Sequence, residues 1–268
     1  MLKRAYTDCR YGQMHYLEGI CAQPAAPTLV LLHQNPSSSY EYRALVEEMS
    51  RDRRVIAFDT PGYGMSDAPP SPPGMTGYAA AFSDAIDALG LEGPLDVYGF
   101  HTGTLLAAEL AIARPDKVGR IAMTGIPMFD AATRAEKLAE AQSVPEPEES
   151  GEPTMALLRN LWAYTVTQRD PRMPLEKAVW GFADKARVLH RFSWAYQGVW
   201  AYDFERLKLV TQPGLLAQSH EDLLDISKEA AALMPDMTVV ELPGFDRDLF
   251  DVGVKELSAV LRDFFESL

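Results

Sequence analysis

Gly99-Phe100-His101-Thr102-Gly103 is the stretch of sequence that decides the fold. Glycines stand two positions before and two positions after His101, where a tight turn between a strand and a helix needs residues without a side chain. The preceding residues Leu95–Tyr98 have the pattern of a short buried strand, and residues 104–113 have that of an apolar helix closed by Pro115. The order of strand, turn and helix predicts a nucleophile elbow, a turn that projects the His101 side chain from the end of a strand.

Two further strands, each followed by a polar loop, precede the elbow. Thr28–Leu32 has the pattern of a buried strand and runs into His33-Gln34-Asn35-Pro36, after which serines 37–39 are available to cap a helix. Val55–Phe58 has the pattern of another buried strand and leads into the loop 59–67. Three buried strands with polar loops at their ends predict a sheet that carries a site along one edge.

These three motifs, in this order, resemble the α/β-hydrolase family. The resemblance extends from paired strands around Tyr6 and 14–16 to a last helix at Val254–Phe265, and residues 33–43 are most similar to haloalkane dehalogenases and their epoxide-hydrolase relatives. It implies the α/β-hydrolase fold, an α/β architecture in which a mostly parallel central sheet is flanked by helices and covered by a helical cap.

The pattern of elements divides the chain into a core and an inserted cap. Alternation of strands and helices stops after the strand predicted at 118–126 and resumes at Gly214–Gln218, and the interval is mostly helical in pattern. We therefore expect a core built from 1–127 and 210–268, with a helical cap, or lid, at 128–209.

The predicted cap is rich in aromatic residues. An acidic, Pro-rich stretch at 144–153 is too polar to pack and is expected to be an exposed loop. The rings that follow it can pack the cap against the core, but their density also predicts a pocket for an apolar or aromatic small molecule. Candidate contacts with such a substrate are Trp162, Trp194 and Phe100.

The resemblance also assigns an acid and a base position, and the chain departs from the family at the second. Residues 213–222 resemble the strand and loop that present the family's acid, which puts Asp222 in that role, with Glu221 and Asp225 as alternatives. Residues 237–251 resemble the strand and loop that normally deliver the catalytic histidine, and Arg247 occupies that position. Both the usual nucleophile and the usual base are therefore missing.

A histidine on the elbow favours a different chemistry from that of a serine. Its imidazole reaches further than a hydroxyl, so His101 is expected to touch Asp222 and to act as a general base, since imidazole titrates near neutral pH. Nucleophilic attack by His101 is the alternative. Arg247 either pairs with Asp222 or binds a substrate carboxylate.

The loop after the first buried strand carries the candidate oxyanion hole. By resemblance, the backbone N–H groups of Asn35 and Thr102 would stabilise developing negative charge, and the Asn35 side-chain amide could add a donor. Gln34 replaces the family's usual glycine and is a candidate for contact with substrate. His33 is either structural or a further substrate contact.

Composition limits the partners of this chain. With 268 residues and 47% hydrophobic content it can form one full-sized domain, while a formal net charge of −13 repels nucleic acid and anionic membranes. Cys9 and Cys21 lack metal-ligand spacing and favour a reducing compartment, with one disulfide left open. Residues 1–8 lack the apolar stretch of a signal peptide, so we expect a cytoplasmic protein; a homodimer is one candidate for its oligomeric state.

Three functions are compatible with these residues. The first is an enzyme without cofactor or metal that hydrolyses an ester, a lactone or a C–C bond, with His101 as base. The second uses the same base to remove a substrate proton, as a lyase, decarboxylase or isomerase would. The third is a ligand-binding protein that has lost catalysis. Haloalkane dehalogenation itself is disfavoured, because it needs a carboxylate nucleophile that the elbow lacks.

Overall fold

A computed structural model describes residues 1–144 and 147–267 of the chain. Within them, the strands and helices alternate in the first half, helices alone follow, and alternation then resumes. The strands are β1 Leu2–Cys9, β2 Gly12–Gly19, β3 Leu29–Leu32, β4 Val55–Phe58, β5 Leu95–Phe100, β6 Val118–Thr124, β7 Gly214–Ser219 and β8 Met237–Leu242. The helices are α1 Arg43–Met49, α2 Gly74–Ala88, α3 Thr102–Ala113, α4 Ala131–Gln142, α5 Glu152–Trp162, α6 Leu175–Ala186, α7 Trp194–Trp200, α8 Leu224–Ala231, α9 Leu249–Val252 and α10 Val254–Glu266.

The strands form one eight-stranded sheet in the order β1-β2-β4-β3-β5-β6-β7-β8. Strand β2 runs antiparallel to both of its neighbours, whereas the strands from β4 to β8 pair in parallel. The mostly parallel sheet expected from the sequence is confirmed. The paired strands expected around Tyr6 and Met14 are β1 and β2, in which Tyr6 lies opposite His15.

Helices cover both faces of the sheet because its central strands are apolar on both sides. In β3, Val30 and Leu32 pack into a cluster with α2 and α3, while Leu29 and Leu31 pack into a second cluster with α1 and α10. All four side chains are fully buried. Alternate residues of one strand therefore hold the two helical layers in place.

The segment between β6 and β7 contains helices and no strand in its described residues. It holds α4 to α7, a π-helical turn at Ala163–Thr167 directly after α5, and short 3-10 helices. Part of the loop expected at 144–153 lies outside the described residues; residues 147–150 are exposed, and α5 begins at Glu152. None of the helices that the structure describes is long and apolar enough to span a membrane.

The topology brings the candidate residues to one edge of the sheet. Asn35 follows β3, His101 follows β5 directly, Glu221 follows β7, and Arg247 follows β8. Because parallel strands end at the same edge, these four residues gather there although they are far apart in the sequence.

Candidate active site

His101 occupies a strained turn between β5 and α3. Its backbone has φ 48° and ψ −112°, a conformation that a non-glycine residue rarely adopts and that recurs at functional sites. A Cβ atom on Gly99 would overlap the backbone of Gly103, and one on Gly103 would overlap the Leu32 carbonyl group. The two glycines are therefore required sterically, as the sequence predicts for a nucleophile elbow.

The His101 ring is held between a carboxylate and an aromatic ring. Its Nε2 lies 2.7 Å from Oε2 of Glu221, and the ring stacks on Phe100 with a centroid separation of 4.0 Å. The His101 side chain is 21% exposed and that of Glu221 is 11% exposed, so the pair is partly shielded from solvent and still accessible from the cavity described below. Such a histidine–carboxylate pair is the arrangement of a general base with its orienting acid.

The expected contact between His101 and Asp222 is not formed; the acid in contact is Glu221. Asp222 is exposed at the rim of the cavity, and its side chain makes no hydrogen bond or ion pair with the described residues. Asp225 is exposed on α8. Strand β7 ends at Ser219, so Glu221 is the first acid of the loop, and its longer side chain reaches the ring while the chain turns outward at Asp222.

Glu221 is itself oriented by a buried amide. Gln218 is fully buried in β7, and its Nε2 donates to Glu221 Oε1 at 3.2 Å, while its Oε1 accepts from the Gly125 backbone N–H at 2.9 Å. The Ser219 hydroxyl lies 3.3 Å from the same Glu221 oxygen. This role of Gln218 could not be predicted, because a polar residue inside an apolar strand belongs to no characteristic motif.

Gly125, in the loop after β6, leaves the space in which the ring of His101 lies. A Cβ atom there would be 2.7 Å from His101 Nε2, closer still to Cδ2, and 2.9 Å from Glu221 Oε1. The φ of Gly125 is +75°, which glycine adopts without strain. No sequence motif pointed to this residue.

If the His101–Glu221 pair catalyses hydrolysis, replacing Gly125 by alanine should lower the hydrolysis of 4-nitrophenyl butyrate at least tenfold, because the added Cβ forces the His101 ring away from Glu221. The positive φ adds a destabilisation of roughly 1–3 kcal/mol. Gly90→Ala is the matched control, since Gly90 has φ +61° but no atom within 4 Å of the added Cβ. Urea unfolding and initial rates should show both variants destabilised and only Gly125→Ala inactivated. Equal activity of the two variants would contradict the steric role of Gly125.

The candidate oxyanion donors lie beside the dyad. Asn35 and Thr102 line the cavity and are buried, and their backbone N–H groups donate no hydrogen bond within the described part of the chain. The side-chain Nδ2 of Asn35 donates a hydrogen bond to the Phe192 carbonyl at 2.8 Å. Tyr196 donates a hydrogen bond to the Asn35 carbonyl at 2.7 Å. Two hydrogen bonds to the segment between β6 and β7 therefore hold the loop that follows β3.

Gln34 and His33 have different surroundings. Gln34 lines the cavity and donates to Glu41 through its backbone N–H at 3.1 Å and through Nε2 at 3.0 Å. His33 is 2% exposed and does not line the cavity, which favours the structural alternative for this residue. Its Nε2 accepts from the Thr60 N–H at 2.9 Å, which leaves Nδ1 to donate to the Gln34 carbonyl at 2.7 Å. Both ring nitrogens are thus used to fix the loop.

The helical segment between β6 and β7, expected to be the cap, contributes different aromatic rings from those expected. Phe100 lines the cavity, but Trp162 and Trp194 do not: Trp162 is 41% exposed and packs edge-on against Phe182, and Trp194 is half-buried elsewhere. The spacing of the rings in the sequence does not indicate which face of each helix in this segment lines the cavity. The cap rings that line the cavity are Phe129, Tyr164, Phe192, Tyr196 and Trp200.

Arg247 contacts Tyr164 and no acid. Its guanidinium lies 4.2 Å from the centre of the Tyr164 ring, and Nη2 donates to the Tyr164 carbonyl at 2.8 Å. No carboxylate of the described residues lies within 4 Å of it, so the expected alternative of a pair with Asp222 is not formed. The partner, Tyr164, belongs to the π-helical turn, an irregularity that often marks functional sites.

One cavity of about 600 Å³ lies between the sheet edge and the helices that follow β6, and its lining includes His101, Glu221 and Arg247. Its size suits a small molecule. Within the described ranges, no group of three or more histidine, cysteine or acidic side chains has an arrangement able to hold a metal ion.

Comparison with known proteins agrees with the fold. Residues 27–150 match the family model for the alpha/beta hydrolase fold. A haloalkane dehalogenase of Mesorhizobium japonicum is 33% identical over 116 residues, which cover 43% of this chain and 36% of that enzyme. The chain spans less than half the length of the curated relatives it matches first.

Solved structures match over nearly the whole chain. The enol-lactonase of Burkholderia xenovorans has a TM-score of 0.77 at 18% identity, covering 98% of this chain and 100% of that one. The epoxide hydrolase CorEH has a TM-score of 0.80 at 18% identity, covering 99% of each chain. The sheet topology, the match of residues 27–150 to the family model and the solved structures together show that the chain has the α/β-hydrolase fold.

Proposed function

We propose that this protein is a cofactor-independent hydrolase of esters, lactones or C–C bonds, in which His101 is the general base and Glu221 orients it. The observation that carries this proposal is the 2.7 Å contact between His101 Nε2 and Glu221 Oε2 at the wall of the cavity. The names of the similar proteins, which include an enol-lactonase and an epoxide hydrolase, agree with hydrolysis as the reaction type.

The contact with Glu221 favours one tautomer of the neutral imidazole. An ionised carboxylate accepts hydrogen bonds and cannot donate them, so the proton resides on Nε2. Nδ1 then carries the free lone pair and is the basic atom. In the Ser-His-Asp arrangement the carboxylate binds Nδ1 and the base is Nε2, so the roles of the two nitrogens are exchanged here.

The proposed reaction follows from this arrangement. His101 Nδ1 removes a proton from water while the water oxygen attacks the substrate carbonyl carbon. The negative charge that develops on the carbonyl oxygen is stabilised by the backbone N–H groups of Asn35 and Thr102. As the bond to the leaving group breaks, the imidazolium returns its proton to that group. Each turnover thus consumes one water and needs no bond between enzyme and substrate.

The lining of the cavity limits the substrate. Its aromatic rings favour a molecule of moderate size that has an apolar or aromatic part. Haloalkanes are not proposed as substrates, because displacement of a halide requires a carboxylate nucleophile where this chain has an imidazole.

The proposal is tested by turnover in H₂¹⁸O of three probes: 4-nitrophenyl butyrate, dihydrocoumarin and 1-phenyl-1,3-butanedione. Hydrolysis places one ¹⁸O atom in the carboxylate product, which mass spectrometry detects. Proton abstraction without hydrolysis would instead accelerate deuterium exchange from D₂O, at the carbon between the carbonyl groups of the diketone, above the rate without enzyme, and would yield no carboxylate product. Binding of the probes without incorporation of ¹⁸O or enzyme-dependent incorporation of deuterium would favour a ligand-binding protein and overturn the proposal.

A further inference from the structure

We propose that Arg247 is an anion-binding residue and that the ligand of this cavity carries a carboxylate in addition to its apolar part. The term substrate for this ligand rests on the proposed function; binding of the anion does not. The geometry that points to it is a cation placed in the wall of an aromatic cavity without an acidic partner in the described chain.

The hydrogen-bonding capacity of Arg247 is only partly used. A guanidinium has five N–H donors, and the structure engages Nη2 with the Tyr164 carbonyl. Nε is buried and has no hydrogen-bond partner among the described residues. A buried donor on a charged group is costly to leave unpaired, so an acceptor from a ligand would be bound favourably at this position.

Among the described residues, Arg247 forms no ion pair with the acidic side chains that line the cavity, most of which have other partners. The charge of Asp248 does interact with it, since burial raises the pKa of Asp248 and the Arg247 guanidinium lowers it. Asp222 and Asp246 are exposed, where solvent screens their charges. The paired groups are Glu221 with His101, Asp251 with Lys177, Glu140 with Lys137, Asp248 with the Asp170 N–H at 2.7 Å, and Glu41 with Gln34.

Lys185 is the other cation in the lining that forms no ion pair within the described residues, and it is the competing candidate. Its ammonium lies 3.3 Å from the Ser37 hydroxyl, beside the loop that carries Asn35. Arg247 is favoured because a guanidinium presents parallel N–H groups to both oxygens of a carboxylate, and because its stacking on Tyr164 fixes its plane.

Arg247 and the His101–Glu221 pair line the same cavity. Tyr164, on which the Arg247 guanidinium stacks, lines it as well. A ligand held at Arg247 by a carboxylate can present a second carbonyl group to His101, which makes an ester or lactone of an aromatic or apolar acid the expected chemical class.

The test uses binding alone. In the His101→Ala background, isothermal titration compares 4-phenylbutyrate with its neutral analogue 4-phenylbutyramide. We expect the carboxylate to bind roughly 10- to 100-fold more tightly than the amide, which is the range for a charge-assisted pair. Arg247→Met should abolish this preference, and Arg247→Lys should restore part of it. Arg51→Met, which removes an exposed guanidinium outside the cavity, should leave the preference unchanged.

The outcomes separate the two proposals. Equal affinity for the two probes, absence of carboxylate binding, or loss of the preference in Lys185→Met rather than Arg247→Met would each overturn the role of Arg247. None of these results depends on catalysis, since His101 is absent from the titrated protein. Conversely, absence of ¹⁸O incorporation by the native protein would overturn the proposed hydrolysis and leave the anion site intact.

Discussion

Replacement of His101 by alanine is expected to lower kcat/KM for the probe that the native protein hydrolyses best by roughly 10³–10⁴-fold. The change removes the proposed proton acceptor, while the candidate oxyanion donors belong to the backbone and remain. Alanine tolerates the turn about as well as histidine does, so the free energy of unfolding should change little. Initial rates and urea unfolding of the same preparations measure the two effects.

His220→Ala is the matched control for this experiment. His220 is half-exposed, pairs with Glu241 at 2.8 Å and lies outside the cavity lining, so its loss should leave the rate within about twofold of the native value, as expected for a surface change. If His101→Ala and His220→Ala retained similar activity, hydrolysis would have to arise elsewhere on the protein, and the general-base role would be wrong.

Glu221→Gln is expected to have the second largest effect, a loss of roughly 10²–10⁴-fold in kcat. The glutamine amide keeps the shape of the side chain but can donate a hydrogen bond to His101 Nε2, which moves the imidazole proton to Nδ1. The basic lone pair would then face the amide rather than water. Binding of 4-phenylbutyramide should be unchanged, because the cavity keeps its shape.

Asp222→Asn provides the comparison for this variant. Asp222 is adjacent in sequence and lines the same cavity, but its side chain makes no contact with His101. We expect activity within about threefold of native, since exposed charges act weakly through solvent. The reverse result, a large loss in Asp222→Asn and little in Glu221→Gln, would restore the assignment that the sequence alone suggests.

Much of the fold could be predicted from the sequence because its central strands are short, apolar and bounded by turn residues. Val55–Phe58 is predicted with its observed ends, and the last helix differs by one residue from the expected 254–265. The strand at β6 ends at Thr124 rather than at the expected Ile126, because Gly125 turns the chain away with a positive φ. A run of apolar residues in the sequence does not indicate where such a turn ends the strand.

The site was less predictable because side-chain reach and helix orientation are not properties of a motif. Glu221 and Asp222 are adjacent acids in one loop, and only the geometry of that loop distinguishes the one that meets His101. Trp162 and Tyr164 are two residues apart, which places them on different faces of the chain. The family resemblance could assign site residues to the ends of particular strands. It could not predict the π-helical turn that places the Tyr164 ring against Arg247, because no sequence pattern indicates such a turn.

An imidazole on the elbow changes how such a protein could be inhibited. Phosphonates and sulfonyl fluorides inactivate serine hydrolases by bonding to the hydroxyl oxygen, and this turn has no hydroxyl at the attacking position. Because water attacks directly in the proposed reaction, no acyl-enzyme accumulates and product should form without an initial burst. The His101 turn therefore lacks the oxygen on which these reagents form their stable adduct with serine hydrolases.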